Sequence, residues 1–227
     1  MRSEKGQELH RQAEQTREAG KFEKSVQLAQ EAIQTYEADK DFLGQSDAYG
    51  SLSLSFRHLN KLNEAEDAAL KGIKIAEDHN LQGDRARPYF NLAKVQEQRG
   101  KLDDAVESYK RSIQIFQREN PILHNRSGVL ADMNIHLATC EYKAGNKSAL
   151  DRALTAITDL KNSDEEKVSK YNYDVWISGG HMKIADMLRE DDLEEAKKHL
   201  QIAKEIIDAD PELVIRKDQW EKISKSF

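Results

Sequence analysis

The chain holds one cysteine, Cys140, three prolines and eleven glycines among 227 residues. A single cysteine cannot close an internal disulfide, which excludes a disulfide-stapled scaffold and fits a reducing, cytoplasmic setting. So few helix breakers leave long helices as the expected elements. No apolar run reaches the roughly 18 residues that a membrane-spanning helix needs, and Met1 to Glu8 contain no apolar stretch of the kind that opens a secretory signal. An excess of positive charge is missing too: 35 Lys and Arg face 41 Asp and Glu, for a net charge of -6. That balance argues against nucleic acid as the partner. There is no Gly-rich phosphate loop and no HExxH pair, so no cofactor, metal or enzymatic activity is expected. Apolar residues make up 38% and charged residues 33%. A compact core is hard to build from that mixture. A stack of repeats, each touching only its neighbours, needs no central core.

What the chain has is a period of 40. Gly20-Lys21-Phe22-Glu23-Lys24-Ser25, Asn60-Lys61-Leu62-Asn63-Glu64-Ala65 and Gly100-Lys101-Leu102-Asp103-Asp104-Ala105 share one pattern, a turn followed by a helix start. Gly145 and Asp191 continue the series at steps of 45 and 46. Seven residues before these markers stand Ala13, Ser53, Ala93, Ala138 and Ile184. Five after them stand Ser25, Ala65, Ala105, Leu150 and Ala196, and twelve after them Ala32, Gly72, Ser112, Ile157 and Ala203. Small residues dominate all three sets, so two helices per unit are expected to approach closely, with Tyr49, Leu52, Phe56, Tyr89 and Leu92 filling around them. The fourth unit departs, with Lys147 and Leu150 at the expected apolar and small places. Sliding its second helix by one residue, to use Ala149 and Ala156, restores the pattern and implies an irregular turn after Gly145.

This pattern resembles the tetratricopeptide repeat, a helix–turn–helix unit with small residues at these three points. The resemblance implies an all-α, right-handed helical-repeat solenoid. Its repeats fall at about 6–40, 46–80, 86–120, 122–162 and 164–208, with a capping helix at about 211–226. The long period is similar to that of kinesin light chains, spindle-orientation adaptors and bacterial peptide-responsive regulators; the additional domain of those regulators is not expected here. Gly44, Gly83 and Gly128 are expected to end second helices with positive φ. Pro88 falls in the first turn of the next helix, where proline is tolerated. Ser163 and Glu166 have the spacing of a capping box and are expected to start the long first helix of the fifth unit. Ser178-Gly179-Gly180 falls inside that helix and should kink it. Asp210-Pro211-Glu212 starts a last helix with Leu213, Ile215, Trp220 and Ile223 on one face.

In such a fold the first helices line the concave side, and the resemblance places 30 side chains there. Seven are Lys or Arg and five Asp or Glu, a small excess but opposite in sign to the whole chain. An acidic peptide or a carboxylate terminus is the ligand this suggests. Arg57, His58, Arg87, Phe90, Asn91 and Lys94 form the best candidate patch, with His136 and Lys143 in the fourth unit. Related long-repeat proteins use an asparagine at the place of Asn91 to bond the backbone of an extended ligand. Here its equivalents are Arg11, Ser51, His136 and Met182, so a ladder of such contacts is not expected. His10 and Glu14 stand where a two-carboxylate clamp needs Lys and Asn, which disfavours a chaperone-tail cofactor. Asp132, His136 and Cys140 share a helix stripe, and a buried free thiol beside groove residues is the reading taken. The expected function is that of a protein–protein interaction adaptor or scaffold. Two alternatives stay open: a structural or self-assembly module, and a signal-peptide sensor.

Overall fold

The structure, a computed structural model, describes residues 3–81, 86–119 and 127–227. The chain divides into two compact units, Met1–Leu123 and His124–Phe227. The described residues of the first unit form six helices: α1 (Glu4–Glu18), α2 (Phe22–Ala38), α3 (Phe42–His58), α4 (Leu62–Asp78), α5 (Ala86–Gln98) and α6 (Leu102–Glu119). The second has α7 (Ser127–Lys143), α8 (Ala149–Lys161), the single turn α9 (Glu165–Val168), α10 (Lys170–Leu188), α11 (Leu193–Ala209) and α12 (Val214–Ile223), then a 3₁₀ turn at Ser224–Ser226. No strand occurs among the described residues. Each odd–even pair from α1 to α8, and α10 with α11, is a hairpin.

The hairpin turns of the first unit are copies of one another. Gly20 (φ 75), Asn60 (φ 57) and Gly100 (φ 75) are left-handed, and the following amides return five residues: Lys21 to the Thr16 carbonyl, Lys61 to Phe56 and Lys101 to Gln96. This double reversal closes the orphan carbonyls of a helix end. Lys40 (φ 55) and Asn80 (φ 48) do the same after α2 and α4, with Asp41 bonding to Tyr36 and Leu81 to Ala76. Gly44 therefore does not end a helix as its sequence position suggested. It lies in the first turn of α3, where a Cβ would collide with the ring of Tyr36, and Gly6 of α1 faces the same ring. Gly128 lies inside α7 against Glu165. Gly83 lies outside the described residues.

The paired small residues work as the spacing implies, with an added refinement. Ala13, Ala65, Ala93 and Ala105 have no exposed surface, nor has Ser53. In the first hairpin the Ser25 hydroxyl donates to the Ala13 carbonyl at 2.8 Å; in the second, Ser53 donates to Ala65 at 2.8 Å. The hydroxyl has changed sides, but the same two positions are joined. Ser46 to the Gly72 carbonyl (2.9 Å) and Ser112 to Ala86 (2.6 Å) repeat the exchange at the other end of the hairpins. A serine can replace alanine at these contacts because its hydroxyl meets a carbonyl of the facing helix.

The second unit is built less regularly. Gly145 (φ 103) is left-handed, but three residues, Asn146 to Ser148, pass before α8 begins at Ala149, against one in the first unit's turns. Ala149, Ala153, Ala156 and Leu160 are buried while Leu150 is only partly so, which is the slid register. Ser163 does not start the long helix. Its hydroxyl accepts from the Glu165 amide at 3.3 Å, and the backbone breaks at Ser169 (φ -158, ψ 95). Ser169 then caps α10 by accepting from Asn172. Within α10, Ser178-Gly179-Gly180 causes no break. A Cβ on Gly180 would stand 2.5 Å from Ile157 of α8 and 3.2 Å from Ile135 of α7, and one on Gly179 would stand 2.8 Å from the guanidinium of Arg216 on α12. These glycines let three helices press onto α10, and packing from both sides keeps it continuous. The last helix starts at Val214. Leu213, Trp220 and Ile223 pack it onto α10 and α11, and the Trp220 indole donates to the Leu200 carbonyl at 2.9 Å.

Candidate functional site

In the first unit α3 packs against both α1 and α5, so the first helices of three hairpins lie side by side. Small residues hold them close. Gly50 of α3 faces Asn91 of α5, and a Cβ there would stand 2.9 Å from the Asn91 amide nitrogen. Asn91 is 3% exposed, and its Nδ2 has no hydrogen-bond partner. It is thus packed between helices rather than offered to an extended ligand.

Arg87, Phe90 and Lys94 follow at helical spacing along α5. The Arg87 guanidinium donates to Glu14 Oε1 of α1 at 2.7 Å and lies 3.8 Å from Asp47 of α3. One side chain thus joins the three hairpins. Burial pushes the Glu14 carboxyl up, but Arg87, with His10 and Arg17, outweighs it and holds the group below its ordinary value. His10 Nε2 and the Ser51 hydroxyl are 2.8 Å apart beneath this bridge, and burial holds the histidine below its ordinary pKa, with Glu14 opposing. A concavity of about 260 Å³ opens here, lined by His10, Glu14, Tyr36, Asp47 and Arg87 among others. Lys94 Nζ sits 4.0 Å over the Phe90 ring, which meets Tyr109 edge-on with centroids 5.5 Å apart. Tyr109 donates to Glu97 at 2.8 Å.

Arg57 ends α3, half-buried, with Nη1 reaching Gln98 Oε1 of α5 at 3.5 Å. His58 is stacked on Phe22 of α2, with centroids 4.7 Å apart and planes 7° from parallel. The ring is committed to the hairpin edge. His136 and Lys143 belong to the second unit. His136 Nε2 lies 3.9 Å from Asp132 of the preceding turn, and Lys143 is exposed at the end of α7. Cys140 is buried, and no cluster of three or more potential metal ligands exists among the described residues.

The structure therefore brings Arg57, Arg87, Phe90 and Lys94 onto one face of the first unit. It also recruits groups outside the candidate set: Glu14, Asp47, Ser51, Arg17 and Tyr109. The resemblance placed the first four on this side of their helices, but not the pairing of Arg87 with Glu14, 73 residues apart. Tyr109 comes from a second helix, which no groove pattern covers. Much of the basic excess is answered locally. Arg11 binds Glu8 at 2.6 Å, Arg17 meets Glu18 at 3.4 Å and Arg87 takes Glu14.

Helical hairpins joined by copied left-handed turns, with small residues at their crossings, define a helical-repeat protein. Residues 86–118 match the family model of the tetratricopeptide repeat. The fold is a tetratricopeptide-like helical-repeat solenoid, and solved structures share it. BtubC (BKLC) from P. vanneervenii is 20% identical with a TM-score of 0.64, over 87% of this chain and 77% of that one. A putative kinesin light chain of Podosopora anserina, with nearly identical TPR-like repeats, is 13% identical with a TM-score of 0.59, over 88% and 93%. A Rap protein complexed with competence and sporulation factor is 11% identical with a TM-score of 0.72, over 95% of this chain and 64% of that one. No curated protein matches the chain by sequence.

Proposed function

We propose that the chain is a protein–protein interaction adaptor that binds a segment of another protein on the face of α1, α3 and α5. One observation carries the reading: Phe90, with Lys94 over its ring and Arg87 beside it, stands half-buried on this face. An aromatic ring under a cation, bordered by a guanidinium, is the composition of a protein-recognition surface. The segment is acidic in this reading, because Arg57, Arg87 and Lys94 are the groups it meets. His136 and Lys143 are candidate contacts in the second unit. No catalytic step or cofactor enters. The test is a charge-reversed variant, Arg87→Glu with Lys94→Glu. Proteins captured by the parent and identified by mass spectrometry should be lost from the variant while its helical circular dichroism is kept. Unchanged capture by the folded variant overturns the reading.

A sensor reading has one observation of its own. The Arg87–Glu14 bridge spans the first and third hairpins, and a ligand carboxylate that takes Arg87 would release α1 from α5. Small-angle scattering would then show a changed radius of gyration on ligand addition.

A further inference from the structure

Arg57 differs from the other arginines of this face. Among the described residues no carboxylate lies within 4.0 Å of its guanidinium. Its Nε–H is buried with no hydrogen-bond acceptor, and its one bond, to Gln98, is at the outer limit of length. The surroundings are not neutral. Burial holds the group below its ordinary pKa; Tyr109 and Glu97 oppose this, and Arg17 adds to it. The charge of Arg17 thus opposes that of Arg57, while Glu97, whose charge favours it, is already bonded by Tyr109. Withdrawing a charge from water without a partner is costly, and fold stability gains nothing from it. The hairpins do not need it there. The equivalent positions in α1 and α5 are Arg17, paired with Glu18, and Glu97, paired with Tyr109.

We infer that Arg57 is the subsite that takes a carboxylate of the bound segment. The side chain is half-buried. A guanidinium matches a carboxylate through two parallel N–H···O bonds, and partial burial strengthens them. The incoming oxygens would supply the negative charge that the fold leaves out, and would relieve the repulsion between the two arginines. A free anion offers the same chemistry as a peptide carboxylate, so the probes must separate the two. The inference rests on the face of α1, α3 and α5 being the binding face, but it fails separately. Loss of capture in the Arg87/Lys94 variant together with a silent Arg57 would place the contact elsewhere on that face.

The experiment is ¹⁵N NMR of the arginine Nε–H signals, with Arg57 assigned by its disappearance in Arg57→Lys. The probes are acetate, inorganic phosphate and the blocked tripeptide acetyl-Glu-Glu-Glu-amide. The Arg57 signal should move with the tripeptide at a concentration about tenfold or more below that needed with acetate or phosphate, a difference of about 1.4 kcal/mol. Arg57→Met supplies the second readout. Without ligand its Tm should equal or exceed that of the parent, because an unpaired charge has been removed. A stationary Arg57 signal with all three probes overturns the inference. So does equal response to tripeptide and acetate, or a fall of several degrees in the Tm of Arg57→Met.

Discussion

In Met1–Leu123 the three hairpin turns are interchangeable: a left-handed residue, one more, then a helix. In His124–Phe227 the two hairpins turn differently. One inserts extra residues after Gly145; the other closes through Asp192, whose carboxylate accepts from the Glu195 amide at 3.0 Å. The packing differs in the same way. The first unit repeats small pairs joined by serine hydroxyls. The second gathers Ile135, Ile157, Leu160, Ile177 and Ile184 around the glycines of α10, and buries a histidine pair, His181 and His199, with Nδ1 atoms 2.8 Å apart. Both units bury polar groups, serine hydroxyls and Asn91 in the first and the histidine pair in the second.

The largest expected effect breaks the crossing at α10. Gly180→Val puts a branched side chain where a Cβ alone would stand 2.5 Å from Ile157, and should cost about 3 kcal/mol. Both tryptophans, Trp176 and Trp220, lie in the second unit, so the loss should show in denaturation followed by tryptophan fluorescence.

Acid should also weaken the second unit. Burial first, then the neighbouring His199 and Lys161, lower the His181 pKa to about 3 from an ordinary 6.5. His199 is shifted the same way, chiefly by burial, with Glu195 opposing and Lys161 assisting. The folded unit keeps His181 neutral, whereas the unfolded chain takes a proton below 6.5. The stabilisation is therefore complete above pH 6.5 and is lost as pH falls toward 3. Between pH 6.5 and 5, His181 should remove about 2 kcal/mol. Urea unfolding followed by fluorescence at the two pH values measures this, and His181→Gln should flatten most of the slope.

In the first unit the corresponding lever is the turn. Gly100→Ala meets no atom but is held at φ 75, which should cost about 1 kcal/mol by circular dichroism, with little change in the fluorescence transition. Ser53→Ala should cost less than about 1 kcal/mol, because the third hairpin already has Ala93 and Ala105 at the same two positions. Smallest of all, Arg87→Ala should change stability by a few tenths of a kcal/mol, since its bridge to Glu14 is half exposed. Thermal melts of the three variants rank them.

The contrast also explains what could be read from the residues. The 40-residue period located the turns at Gly20, Asn60 and Gly100 because a left-handed backbone demands particular residues. It located the buried alanines because close crossings demand small ones. Gly44, Gly128, Gly179 and Gly180 misled, since a glycine that makes room for a neighbouring helix looks in sequence like one that ends or kinks its own. Arg57, Arg87, Phe90 and Lys94 were placed together by the resemblance, which carries the groove positions along with the period. The burial of Asn91 and the stacking of His58 on Phe22 depend on the distance between helices, which spacing does not encode.

Photo-crosslinking gives the most direct test of the binding face. A benzoylphenylalanine placed at Phe90 on α5, or at the exposed Leu70 on α4, is irradiated in cells expressing the chain. Position 90 should yield a covalent adduct with a partner protein, competed by excess unlabelled chain, and position 70 should yield none. Adducts from position 70 with none from position 90 would contradict the assignment of the α1, α3 and α5 face as the site of recognition.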